Sequence, residues 1–202
     1  MKGANNVNVY LEQFIKAMEP YAPNISKEHI ESVLQVANLK EIKKGEILVH
    51  IGDTPKELYF IISGLIRSYY IDMNGNDVTR YFITENSFCC SEMLLMKEPF
   101  NCCFEALEDC RLICFDGNNF KSLINDDVNY MKAYIKALEQ SIIYKIEREN
   151  SFLLKSAVER YLDFKKKYLN LEERVHQSHI ASYLGITPVS LSRIRRTIKE
   201  EN

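Results

Sequence analysis

Apolar residues begin at helical spacing: in NVYLEQFIKAM, Leu11, Phe14, Ile15 and Met18 share one face. After PYAPN, the run SKEHIESVLQVA opens at Ser26, a hydroxyl side chain suited to capping a helix N-terminus. From Leu39 the period shortens. β-branched and aromatic runs follow, divided by Gly45, Gly52, Gly64 and Gly75. In IRSYYIDMNGNDVTRYFI two alternating strands flank Asn74-Gly75, a dipeptide suited to a type I′ hairpin turn. A further strand pair is expected between Cys102 and Phe115. Many short strands punctuated by turns predict a β-sandwich, jelly roll or barrel.

Near Asp126 the helical period returns and holds. Val128, Met131, Ile135, Leu138 and Ile142 repeat with 3-4-3-4 spacing, the seam of a coiled coil. Such a face packs either on its own β-domain or on a second copy of the same helix. No turn signal interrupts it until about Asn150, and that length favours a homodimer. Helical material resumes from Phe152 with SAVERYLDFKKKYLN and LEERV. The expected fold class is α+β: a β-roll or jelly-roll domain with N-terminal helices over residues 1–125, a dimerisation helix over 126–150, and an all-α C-terminal domain over 151–202.

With 46% hydrophobic and 27% charged residues, the chain buries a sizeable core. The net charge of −2 hides an asymmetry. Residues 1–144 carry 14 Lys/Arg against 20 Asp/Glu, whereas residues 145–202 carry 12 against 8. A basic tail behind an acidic front makes the tail the part that meets a polyanion. MKGANNVNVYLEQF lacks the apolar run of a secretory signal, and no stretch reaches the ~18 apolar residues of a membrane span. A cytoplasmic protein without membrane contact is expected, with its cysteines reduced.

The tail closes on HQSHIASYLGITPVSLSRIRRTIKEEN. Ile180, Ala181 and Leu184 form a short apolar face, and Gly185 follows where a helix must stop and turn. Thr187 is a ready N-cap, and Pro188 occupies the first helical position, where a missing N–H costs nothing. The next helix buries Leu191, Ile194 and Ile198. Two short helices around a glycine-containing turn make a helix-turn-helix, whose second helix enters the DNA major groove. Pro188, Val189, Ser192, Arg193 and Arg196 then point outward, and Arg193 can fork onto a guanine edge. Gln177, Ser178, Thr187 and Ser190 suit phosphate oxygens, while Arg195, Arg196 and Lys199 add positive charge. His176 and His179 form an HxxH pair without a thiol or carboxylate beside it, which fits solvent or phosphate contact better than zinc.

Taken in order, these segments resemble the Crp/Fnr family of bacterial transcription regulators over nearly the whole chain. The resemblance rests on KKGEILVHIGDTPKELYFIISGLIRSYYIDMNGNDVTRYF, on the long helix, and on HIASYLGITPVSLSRIRR. It implies a cyclic-nucleotide-binding-like effector domain, a dimerisation helix, and a helix-turn-helix that reads double-stranded DNA at an inverted-repeat operator. RNA polymerase is implied as a further partner. Cyclic-nucleotide binders of the family carry a Gly-Glu pair, a short helix, then Arg-Ser or Arg-Thr before the next strand. The glutamate holds the ribose hydroxyl and the arginine neutralises the phosphate. The matching region here reads SEMLLMKEPFNCCFEA. Glu92 stands for the glutamate, Ser91 replaces the glycine, and no arginine occurs between Arg80 and Arg111. Lys97 is the nearest cation, a point charge rather than a fork. Cyclic nucleotides are therefore not the expected effector. An unidentified small molecule or redox signal is, with Cys90, Ser91, Glu92, Asn101, Cys102 and Cys103 as pocket candidates.

All six cysteines, Cys89, Cys90, Cys102, Cys103, Cys110 and Cys114, fall between Ser87 and Phe115. Adjacent cysteines on a strand point to opposite faces, which disfavours four thiolates converging on zinc or a cluster. Iron–sulfur members of the family carry cysteines near the amino terminus, and residues 1–88 hold none. Two readings stay open: small buried hydrophobes that pack the domain, or a thiol-based redox or nitrosative sensor. An enzyme is not expected, because a cupin-like metal site needs several inward histidines and only His50 lies in the β-region. No metal or cofactor is expected.

Overall fold

The computed structural model describes residues 7–23, 25–96 and 98–200. A 3-10 turn, Val7–Tyr10, leads into α1 (Leu11–Met18), and α2 (Lys27–Gln35) follows. Ser26 caps α2 as expected, its Oγ accepting the His29 amide at 3.3 Å. The strands are β1 (Asn38–Ile42), β2 (Ile47–Val49), β3 (Glu57–Ser63), β4 (Ile66–Ile71), β5 (Asp77–Ile83), β6 (Phe88–Cys89), β7 (Cys103–Ala106) and β8 (Cys110–Asp116). A 3-10 helix, Ser91–Leu94, lies between β6 and β7. Six helices complete the chain: α3 (Gly117–Asp126), α4 (Val128–Leu154), α5 (Ala157–Lys167), α6 (Leu171–Arg174), α7 (Gln177–Leu184) and α8 (Pro188–Glu200).

The strands form two four-stranded sheets, ordered β1-β8-β3-β6 and β2-β7-β4-β5. β7 and β8 therefore do not pair with each other, contrary to the expectation for Cys102–Phe115. The link between them is pulled off any shared ladder. Leu107 donates its amide to the Leu65 carbonyl at 2.8 Å, and the Asp109 carboxylate is held by Lys43 Nζ and the Lys44 amide. The Asn74-Gly75 turn also differs from the expected type I′. Positive φ falls on Gly75 (+83°) and not on Asn74. The Asp72 carboxylate accepts the amides of Asn74 (2.8 Å) and Asn76 (2.9 Å), which fixes a wider loop with one left-handed glycine.

The long helix begins at Val128, not Asp126, and runs to Leu154, past Asn150. Asp126 ends α3, a helix without a counterpart among the sequence expectations. Asp116 caps α3 by accepting the amides of Asn118 and Asn119. Asp127, extended at φ −130° and ψ 123°, breaks the two helices apart and accepts the Asn129 amide at 2.7 Å.

Two compact units are present, one of Met1–Ser68 with Phe82–Glu139, the other of Tyr69–Tyr81 with Gln140–Asn202. In the first, α1, α2 and α3 cover one face of the β1-β8-β3-β6 sheet through Leu58, Phe60, Ile62, Ile113 and Phe115. Phe14 meets Phe60 edge-on at 4.9 Å, and Phe88, Phe115 and Phe120 extend this ring cluster. In the second, Phe164, Tyr168 and Tyr183 pack as a ring trio over buried Leu171, Ile180, Leu184 and Leu191. α5 enters through a capping box between Ser156 and Glu159.

Candidate nucleic-acid interface and effector pocket

α7 and α8 are a helix-turn-helix built as the sequence predicts. Gly185 turns the chain at φ +66°, and Thr187 caps α8 by accepting the Ser190 amide at 3.1 Å. Leu191 is fully buried beneath α8, with Ile194 and Ile198 half-buried beside it. Pro188, Val189, Ser192, Arg193, Arg196 and Lys199 are exposed, as are Gln177, Ser178 and Thr187. Ser190 is half-buried and shares a hydroxyl–hydroxyl bond with Thr187 at 3.0 Å, so it completes the cap. Arg196 lies 3.9 Å from Glu200 one turn on, an exposed pair that leaves its guanidinium in water.

Arg195 does not join this basic face. Its guanidinium donates to Glu172 of α6 at 2.6 Å and to the Tyr161 hydroxyl of α5 at 3.3 Å. The reason is periodic: Arg195 lies four residues after buried Leu191 and so points inward. It ties α8 to α5 and α6, and its charge is matched by Glu172.

All four carbonyls that end α7 find donors. Those of Ala181 and Ser182 accept from the Gly185 amide, and Ala181 also from Ile186. The carbonyl of Tyr183 accepts from Arg148 at 2.7 Å, and that of Leu184 from Arg160 at 3.1 Å. Two cations at a helix C-terminus also meet its negative dipole end. The Phe152 ring stands near both guanidinium groups, 4.8 Å from Arg148 and 5.2 Å from Arg160. The end of α4 is thereby bolted to the turn of the helix-turn-helix. No sequence motif marks these two arginines.

On α4, Val128, Met131, Ile135 and Ile142 are exposed, and Leu138 is half-buried. Ile143 and Ile146 continue the uncovered apolar surface. Among the described residues no helix is long and apolar enough to cross a membrane.

In the first unit Cys90, Ser91 and Glu92 lie at the start of the 3-10 helix, whereas Asn101, Cys102 and Cys103 lead into β7. Cys90 precedes it in a left-handed conformation, φ +61°, which costs a non-glycine residue about 1–2 kcal/mol. Glycine-like geometry is thus required at Cys90, one position before Ser91. Ser91 and Glu92 are half-buried; Cys102 and Cys103 are buried; Asn101 is exposed. Lys97 lies outside the described residues. Sequence reading missed one buried cation. Arg67 of β4, 3% exposed, donates to Glu105 of β7 at 2.7 and 3.2 Å.

All six thiols are free and buried. Register puts Cys114 and Cys89 on either side of Tyr59, while their neighbours Ile113, Phe60 and Phe88 face the helices. Cys89 and Cys114 therefore occupy the face turned away from the helices. Burial pushes the Cys110 thiol up to about 11 and the Cys114 thiol up to about 12, the latter also raised by Glu57. Cys90 is raised well above the ordinary thiol range by burial and by its hydrogen bond with Cys89. Among the described residues no group of three His, Cys, Asp or Glu side chains is placed to hold a metal ion.

Residues 39–127 match the family of the cyclic nucleotide-binding domain. A search of curated proteins by sequence finds no match. Solved structures share this fold over most of the chain. FixK2 from Bradyrhizobium japonicum superposes with a TM-score of 0.73 at 17% identity, covering 82% of this chain and 86% of that one. The c-di-GMP-responsive global regulator CLP of Xanthomonas campestris gives 0.72 at 13% identity, over 87% and 93%. A Crp/Fnr-family regulator from Eubacterium rectale gives 0.69 at 19% identity, over 91% and 89%. The β-domain is thus similar to the cyclic nucleotide-binding domain, and the chain has the fold seen in a Crp/Fnr-family regulator.

Proposed function

We propose that the protein is a homodimeric transcription regulator that binds an inverted-repeat DNA operator through α8. The observation that carries this reading is the exposed face of α8, where Ser192, Arg193 and Arg196 stand clear of a helix anchored by Leu191 and capped by Thr187. Arg193 reads a base edge, while Gln177, Ser178, Thr187 and Lys199 meet phosphates. Pro188 and Val189 add apolar contact at the groove. The uncovered seam of α4 is closed by a second copy, which presents two reading helices to half-sites ~34 Å apart. RNA polymerase is the downstream partner. Retardation of a genomic upstream fragment, with affinity falling steeply as salt rises, tests the reading; equal binding to any duplex would sink it.

The effector is a ligand other than a cyclic nucleotide. Glu92 stands for the family's ribose-binding glutamate, but no arginine occurs between Arg80 and Arg111 to pair a cyclic phosphate. The buried Arg67 is already engaged by Glu105. Cyclic AMP and cyclic GMP are expected to bind no better than millimolar, and a micromolar affinity by calorimetry would overturn this. The cysteines act as packing rather than as a redox sensor, a reading supported by the burial of all six and by the raised thiols of Cys90, Cys110 and Cys114, which favour the unreactive protonated form.

A further inference from the structure

β5 is an edge strand, and a side chain from the helix-turn-helix closes part of its edge. The Thr79 amide donates to Ser182 Oγ at 2.8 Å, and that hydroxyl donates to the Asp77 carbonyl at 3.1 Å. Residues 77 and 79 are two apart, the interval at which a strand repeats its sideways backbone groups. Ser182 thus occupies the place a neighbouring strand's backbone would take, offering an acceptor and a donor from one atom. One turn earlier on α7, His179 Nδ1 lies 3.8 Å from the Asp77 carboxylate. Thr79 is 1% exposed, so water does not readily substitute for the hydroxyl.

The geometry points to Ser182 as a positioning residue for DNA reading: it fixes α7 to the β4–β5 hairpin within the second unit and so holds α8, its partner in the helix-turn-helix, in one orientation on that hairpin. This rests on the assignment of α8 as the reading helix. The hairpin grips α7 and leaves Ser192, Arg193 and Arg196 exposed, so the gripped arrangement is the one that meets DNA. Releasing it spreads the helix-turn-helix over orientations of which only a fraction fits the groove, and apparent affinity falls by that fraction.

The experiment uses the full-length protein and a duplex enriched on the wild type from a randomised pool. Ser182→Ala should weaken binding to that duplex about tenfold. Amide exchange at Thr79 should accelerate in the same variant, and Ser182→Thr, which keeps the hydroxyl, should restore both. Should the alanine variant misfold, Ser182→Cys, close in shape but a poor hydrogen-bonding partner, carries the same expectation. Wild-type affinity in either variant at unchanged melting temperature, or tighter binding, overturns the inference. A wild type that enriches no duplex at all overturns the DNA-reading assignment instead.

Discussion

A β-carbon on Gly185 would stand 2.7 Å from Cε1 of Phe152. The glycine is required twice, once for its left-handed φ of +66° and once to admit the ring that both Arg148 and Arg160 flank. Gly185→Ala should cost about 2–4 kcal/mol, combining left-handed strain with the clash. Phe152→Leu in the same chain should recover the clash portion but not the strain. Chemical denaturation of the single and double variants measures the split. Additive losses would show that the ring and the turn are not coupled.

The proposed dimer rests on the exposed apolar seam of α4. Ile135 is 49% exposed in the single chain, so a charge there disturbs little within it. Ile135→Glu sets like charges against each other across a two-fold seam and should give folded monomers. Light scattering reads the mass, and an unchanged dimer would move the interface elsewhere.

Local features of this fold were legible and distant ones were not. Thr187, Pro188 and Gly185 each announce a backbone state within a few residues, and the helix-turn-helix followed from them. The β7–β8 mismatch could not be read, because strand pairing depends on which sheet a chain enters at a corner held by Lys43 and Asp109, 66 residues apart. Ser182 bonds residues more than 100 positions away and leaves no periodic trace. Arg195 is the exception, since its distance of four from Leu191 is itself a sequence signal for the inner face.

Alkaline pH should weaken the first unit. Cys110 and Cys114 titrate near 11 and 12 in the fold, against an ordinary value near 9, chiefly because burial disfavours the thiolate. A folded value raised above the unfolded one means that the stabilisation is complete below about pH 9 and is lost as pH climbs toward 11–12. Iodoacetamide at pH 8 should label these thiols slowly in the native protein and rapidly in guanidinium. Fast native labelling of either residue would contradict the packing role and revive thiol sensing.

Two arginines two residues apart should behave oppositely. Arg193 is exposed on the outer face of α8, the face proposed to read DNA, whereas Arg195 is locked to Glu172 and Tyr161. Arg193→Ala should leave the melting temperature unchanged, cost about 1–3 kcal/mol on the preferred duplex, and relax the preference at one base pair per half-site. Lys199→Ala should instead weaken all duplexes alike and flatten the salt dependence. Arg195→Ala should lower stability by about 1–3 kcal/mol, since it removes charged hydrogen bonds that are only a quarter exposed and leaves Glu172 without its cation. Its salt slope on DNA should match the wild type, because the charge never faced the phosphates. Binding curves on preferred and scrambled duplexes at two salt concentrations, read beside thermal melts, separate the three roles. A flattened salt slope in Arg195→Ala, with stability intact, would return that side chain to the DNA face.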